Sequence, residues 1–212
     1  ASRVMRELNE QIALFAASNA AVLITGETGV GKSLVARAIH DLDAQRDTFL
    51  SINCATIPEN LMEAEYFGHE KGVFTGAEAR REGIFELADG GNLLLDEIGE
   101  VPYHLQAKLL TAIEEGTIRR VGGRRSIPVD VRIVATTNRP LEAAIAEKRF
   151  REDLYYRLAV VTLHIPPLRR HPEDIPELAA AFIQRFSPIA FHIPPDHMER
   201  MQAYPWKGNV RE

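Results

Sequence analysis

The sequence predicts an α/β protein: a parallel sheet with helices on both faces, followed by a small all-helical subdomain. Three observations predict it. Short apolar runs recur between longer amphipathic stretches, the rhythm of strands joined by crossover helices. Those runs are apolar almost throughout and do not alternate with polar residues, as strands covered on both faces must be. The first run leads straight into a glycine-rich turn and a helix, the strand–loop–helix unit of a phosphate-binding loop.

In chain order, the N-terminus reads as an amphipathic helix carried by Val4, Leu8, Ile12, Leu14 and Phe15. Strands are expected at 21–25, 49–53, 93–95, 131–136 and 160–165, and helices at 33–40, 60–67, 105–115 and 141–148. The stretch 68–83 is rich in glycine and charge and interrupts what should be a helix. Pro166-Pro167 ends the last strand as a stiff joint, and the pattern beyond it turns helical at 175–186 and 196–204. These features divide the chain into a nucleotide-binding α/β subdomain at 1–167 and a helical lid at 168–212. The lid reads as incomplete, because the chain stops at Arg211-Glu212 just as Gly208-Asn209 opens another helix.

Composition excludes several classes. Of 212 residues 45% are hydrophobic and 26% charged, as in ordinary globular domains. No apolar run approaches the roughly 20 residues that cross a bilayer, and no basic-then-apolar leader opens the chain. A single cysteine, Cys54, forbids an internal disulfide and fits a reducing cytoplasm. His192 and His197 cannot share a helical face across Pro194-Pro195, which argues against zinc. A formal charge of −5 gives this segment no electrostatic case for gripping nucleic acid. The pairs Arg80-Arg81, Arg119-Arg120 and Arg124-Arg125 sit among turn formers, as solvated loops or subunit contacts.

Residues Gly26-Glu27-Thr28-Gly29-Val30-Gly31-Lys32-Ser33 match G-x-x-x-x-G-K-[ST] between a strand and a helix. The glycines let backbone N–H groups close on phosphate oxygens, and the helix N-terminus adds positive potential. In that frame Lys32 reaches the β- and γ-phosphates of ATP, and the Ser33 hydroxyl ligates Mg²⁺. The run 92–97 ends an apolar strand in two carboxylates at the sheet's C-terminal edge. Asp96 there holds Mg²⁺ directly or through water. Glu97 polarises the attacking water, which marks a hydrolase.

The stretch Phe67 to Ala77, FGHEKGVFTGA, resembles the signature loop, usually Gly-Ala-Phe-Thr-Gly-Ala, of the AAA+ central domain of sigma-54-dependent activators, the bacterial enhancer-binding proteins. The similarity runs from about Val22 to the last residue, through 90–100, 151–158 and 206–212. It implies an Mg-dependent AAA+ ATPase that assembles as a ring, commonly a hexamer, with each site shared between neighbours. Gly72, Val73, Phe74, Thr75, Gly76 and Ala77 become the loop that touches sigma-54 within RNA polymerase. Read from the residues alone, Phe74 is either an exposed contact on a mobile tip or a side chain tucked back on the domain. The resemblance further implies that Asn53 holds Glu97 in an inactive pose. Thr137 and Asn138 match the first sensor, Arg151 and Arg157 the candidate arginine fingers offered to a neighbour, and Arg211 the second sensor on the lid. DNA binding would belong to a C-terminal domain outside this chain.

Four positions depart from the family pattern. Ser33 stands where relatives often carry glutamate, and restores the ordinary magnesium ligand. Val73 replaces alanine, adding two methyl groups beside the sigma-contacting Phe74. Asn92 in place of threonine and Lys207 in place of proline read as peripheral. Val73 keeps a second function open: an ATP-gated oligomeric DNA-binding regulator that no longer engages sigma-54.

Overall fold

The computed structural model describes residues 2–74, 77–186 and 192–212. In chain order it holds α1 (Arg3–Ala16), β1 (Val22–Thr25), α2 (Lys32–Asp41), β2 (Phe49–Asn53), α3 (Glu59–Phe67), α4 (Ile84–Leu87), β3 (Asn92–Asp96) and α5 (Tyr103–Glu115). A hairpin of two-residue strands, β4 (Thr117–Ile118) and β5 (Ile127–Pro128), precedes β6 (Arg132–Thr137), α6 (Leu141–Ala146), α7 (Glu152–Leu158) and β7 (Val161–His164). The lid follows with α8 (Ile175–Phe186) and α9 (Pro195–Ala203).

Strands β2-β3-β6-β1-β7, in that order, pair in parallel into one five-stranded sheet. Successive residues of each strand face opposite sides and feed two separate cores. Leu23, Leu93, Leu95, Ile133 and Ala135 pack with residues of α3 to α7, while Val22, Ile24, Leu94, Val134 and Leu163 pack with α1 and α2. Every expected strand forms, within a residue or two of the expected ends. Helix α6 stops at Ala146, short of the expected Lys148, whose own φ is +55°. Helices α4 and α7 and the β4–β5 hairpin were not expected. Helices of four and seven residues and two-residue strands are too short to show a period.

Helix α1 is N-capped by Ser2, whose hydroxyl accepts the Met5 N–H at 3.2 Å. It buries Leu8, Ile12 and Ala16, one face at spacing four, and leaves Val4 and Leu14 42% and 68% exposed.

Two sequence expectations fail here for one reason: polar groups that look like surface are buried with partners. Asn92 is fully buried, and its amide reaches Asp43 Oδ2 at 3.1 Å and His40 Nδ1 at 3.0 Å. Beside it Arg132 donates to Asp43 at 2.8 Å and to the carbonyls of Phe15, Ala16 and Ala20. Asn92 is therefore a link between β3 and α2, not a peripheral residue. Arg120 is also buried, donating to Glu86 Oε1 at 2.8 Å and Glu70 Oε1 at 3.1 Å, so it is no solvated loop charge.

The C-terminal ends of β1, β3 and β6 meet at mid-sheet, where the connections leaving β1 and β3 diverge. That is where an open α/β sheet places its ligand crevice.

Candidate functional site

β1 runs into the loop 26–31, which closes on the N-terminus of α2. Gly29 has φ +83°, and a Cβ there would lie 2.2 Å from the Gly208 carbonyl oxygen of the lid. Only glycine lets the lid backbone come this close to the loop. Lys32 is 6% exposed and curls back over the loop, donating to the carbonyls of Gly26 at 3.1 Å and Glu27 at 3.3 Å. Its Nζ stands 3.4 Å from Glu97 Oε1.

Glu97 follows β3 with φ +56°, a left-handed backbone rare for a non-glycine residue. That conformation is held from three sides. Its N–H donates to Thr136 Oγ1 at 3.1 Å, its Oε2 accepts the Asn138 N–H at 3.1 Å, and its Oε1 faces Lys32. Asp96 accepts the Thr136 hydroxyl and, at 3.3 Å, the Asn53 amide. The Asn53 amide, read as a partner of Glu97, sits here on Asp96. Its own Oδ1 accepts the Ala55 N–H at 2.9 Å.

The first sensor pair divides. Asn138 joins the site, with its amide on Thr28 Oγ1 at 2.9 Å and its N–H on Glu97. Thr137 does not; its hydroxyl closes a turn with the Arg139 N–H at 3.1 Å. Sheet register explains why. Leu95 pairs with Ala135, so Thr136 is level with Asp96 on the α2 face, and Thr137 points to the opposite one. Thr136 is the site residue the sequence reading missed. The alternation of β6 carried the signal: the threonine that touches Asp96 must share the face of Val134.

A cleft of about 310 Å³ lies over the loop, with Thr28, Lys32, Ser33, Asp96, Glu97 and Arg211 among its walls. Its oxygen donors, the Ser33 hydroxyl and the Asp96 carboxylate, are the hard kind that Mg²⁺ takes, and the donor set fits that ion. Val30 turns away into an adjoining apolar pocket of about 360 Å³, shared with Met5, Leu34, Ile165, Leu178 and Val210. No sequence motif marked this pocket, because it joins α1, α2 and the lid.

Glu27 does not face the cleft. Arg169 pairs with its carboxylate at 2.8 and 2.5 Å, and Asn209 donates to it at 3.2 Å. Hydrogen bonds from Arg169 and then Asn209 lower its pKa to about 2. A carboxyl group with a lowered folded pKa loses its contribution only as pH falls through that value, so this contact persists across the neutral and mildly acidic range. Burial pushes the Cys54 thiol up to about 12, so it stays a protonated thiol at neutral pH.

The other predicted residues lie apart. Arg151 caps α7 and binds Asp153 at 3.0 and 2.6 Å, while Arg157 is exposed in the helix's last turn. Neither lines the cleft of its own chain. In the signature loop, the Gly72 N–H donates to the Ala77 carbonyl at 2.8 Å. Phe74 sets its ring edge-on to His69, centroids 4.9 Å apart, and stays 40% exposed, which combines the two readings of it. Thr75 and Gly76 lie outside the described residues.

Val73 rests on the β4–β5 hairpin: a Cβ at Gly122, whose φ is +74°, would lie 2.5 Å from Val73 Cγ2. Gly122→Ala is expected to cost about 1–2 kcal/mol from the left-handed backbone alone, a fall in Tm of roughly 2–8 °C. Adding Val73→Ala should recover the steric part in a thermal melt. A double variant no more stable than Gly122→Ala alone would mean that Val73 is not seated there.

The Sigma-54 interaction domain model matches residues 1–164, and the AAA+ ATPase lid domain model matches 169–212. The chain is 49% identical to the DNA-binding transcriptional activator HyfR of Escherichia coli K12, over 100% of its own length and 32% of that protein's. It is 50% identical to the regulatory protein AtoC of the same organism, over 100% of its own length and 47% of the relative's. Among solved structures, NtrX from Brucella abortus in complex with ADP superposes with a TM-score of 0.93 at 39% identity, covering 100% of this chain and 47% of that one. The chain therefore spans about a third to a half of the proteins it resembles. The α/β core with its helical lid is the fold of AAA+ P-loop ATPases.

Proposed function

The chain belongs to the Sigma-54 interaction domain family, and from that premise we propose that it is the Mg²⁺-dependent ATP-hydrolysing motor of a cytoplasmic transcription activator that remodels sigma-54 RNA polymerase. One observation carries the hydrolytic part. A carboxylate on strained backbone, Glu97, is held over the phosphate loop between the Lys32 ammonium and the Asn138 N–H.

The residues divide the work as follows. Backbone N–H groups of 26–31 and the Lys32 ammonium bind the phosphates, and the apolar pocket beside Val30 receives the nucleobase. Ser33 and Asp96 would hold Mg²⁺, which when bound would neutralise charge on the phosphate oxygens. Thr136 and Asn53 orient Asp96. Glu97 accepts a proton from the attacking water, and Asn138 ties its position to Thr28 of the phosphate loop. Arg211 reaches the cleft from the lid, so residues 168–212 act as a unit that closes on the core at 1–167. A neighbouring copy in a ring, a hexamer by family pattern, supplies an arginine, and a further domain of the whole protein binds DNA. The loop 72–77 then reports loss of the γ-phosphate to sigma-54.

The seating of Val73 on Gly122 favours a second reading, in which the loop is pinned and the protein is an ATP-gated regulator that leaves sigma-54 alone. Co-migration on a sizing column separates the two. The chain is mixed with sigma-54, ADP and aluminium fluoride, which mimics the transferring phosphate. A nucleotide-dependent complex, lost on Thr75→Ala, is the outcome expected for the motor. ATP hydrolysis with no such complex would transfer support to the second reading.

A further inference from the structure

The phosphate loop is bound from the lid side by groups that hydrolysis does not use. Asn209 is 1% exposed and sits at φ +55°, a left-handed backbone that asparagine adopts more readily than most residues. Its side chain spans three segments. The amide donates to Glu27 Oε2 at 3.2 Å and to the Thr28 carbonyl at 3.0 Å, and its Oδ1 accepts the Leu168 N–H at the joint between core and lid at 2.9 Å. Arg169 takes the same Glu27 carboxylate from the joint itself. The Gly208 backbone closes on Gly29 from above.

Glu27 and Thr28 face two ways. The Glu27 carbonyl accepts from Lys32 Nζ at 3.3 Å while its carboxylate holds the lid. The Thr28 hydroxyl accepts from Asn138 at 2.9 Å while its carbonyl holds Asn209. The two residues that shape the phosphate cradle therefore also anchor the lid. Arg211, two positions past Asn209 (211 − 209), is carried into the cleft by that same turn.

We propose that Asn209 and Glu27 are positioning residues: they lock the lid to the phosphate loop, hold Arg211 at the cleft and so set how long nucleotide stays bound. This rests on reading the cleft as a nucleotide site. The two contacts differ in weight. The Arg169 pair is about half exposed on both sides and is screened by salt, whereas Asn209 is buried and cannot exchange its partners for water.

The test uses release of a fluorescent ADP analogue from this chain, with KM and kcat for ATP measured in parallel. Asn209→Asp keeps size and the acceptor for Leu168 but sets a carboxylate against Glu27. It should speed release about tenfold, equivalent to about 1.4 kcal/mol, and raise KM more than it changes kcat. The paired Asn209→Asp, Glu27→Gln variant removes the repulsion and should return release to within about threefold of wild type, the signature of direct coupling. Arg169→Gln, which leaves the interior untouched, should give about threefold faster release that disappears in high salt. Equal release from the single Asn209→Asp and the paired variant overturns the proposal, as does release within twofold of wild type from Asn209→Asp. A fall in kcat with unchanged release also overturns it. If the wild-type chain takes up no ADP analogue, the nucleotide reading fails first and the latch fails with it.

Discussion

Replacing Glu97 with glutamine should lower ATP turnover by about 10²- to 10⁴-fold while nucleotide affinity stays within about threefold, the range that a positioned general base contributes. Glutamine keeps the shape and one acceptor oxygen, so the Asn138 N–H retains its partner and the left-handed backbone keeps its support from Thr136. What disappears is the basic oxygen. Phosphate release in single turnover, set against binding of a fluorescent nucleotide, separates chemistry from affinity. Retained turnover would remove Glu97 from the reaction and leave Asp96 as the remaining acid of the cleft. A parallel loss of affinity would mean that Glu97 instead holds Lys32, its neighbour at 3.4 Å, in place.

The strands were legible because each is an apolar run long enough to stand out, and because both faces of the sheet are covered. The phosphate loop was legible because its chemistry is local: every residue from Gly26 to Ser33 contributes through its own backbone or side chain. What escaped depends on partners far apart in the chain. Asn53 and Asp96 are paired through strand register, so nothing near either residue says which acid the amide will meet. Thr136 and Thr137 are the same residue type in adjacent positions, and only the face of β6 decides which one reaches the acids. Asn92 and Arg120 looked like surface because charge and amide groups usually are. Their burial rests on Asp43, His40, Glu70 and Glu86, drawn from other segments.

In an assembled ring, Arg157→Ala should reduce ATP turnover by about 10³-fold or more, the scale of an arginine supplied in trans, and Arg151→Ala by much less. The two arginines sit six positions apart (157 − 151) at opposite ends of α7 and are placed differently. Arg151 is engaged with Asp153 through two nitrogens, and its own backbone N–H donates to Gln106 Oε1 at 2.7 Å. Arg157 is exposed in the last turn, so its guanidinium is available to a neighbour at no cost in internal contacts. Because it does not line its own chain's cleft, the loss should be repairable by mixing. A ring formed from Arg157→Ala and Glu97→Gln subunits contains some sites with an intact Glu97 facing a neighbour's intact Arg157. Such mixtures should recover a fraction of wild-type turnover that neither variant shows alone. Co-assembly without any recovery would place Arg157 outside the shared site. Recovery in Arg151→Ala mixtures instead would assign the finger to Arg151 and show that its pairing with Asp153 breaks on assembly.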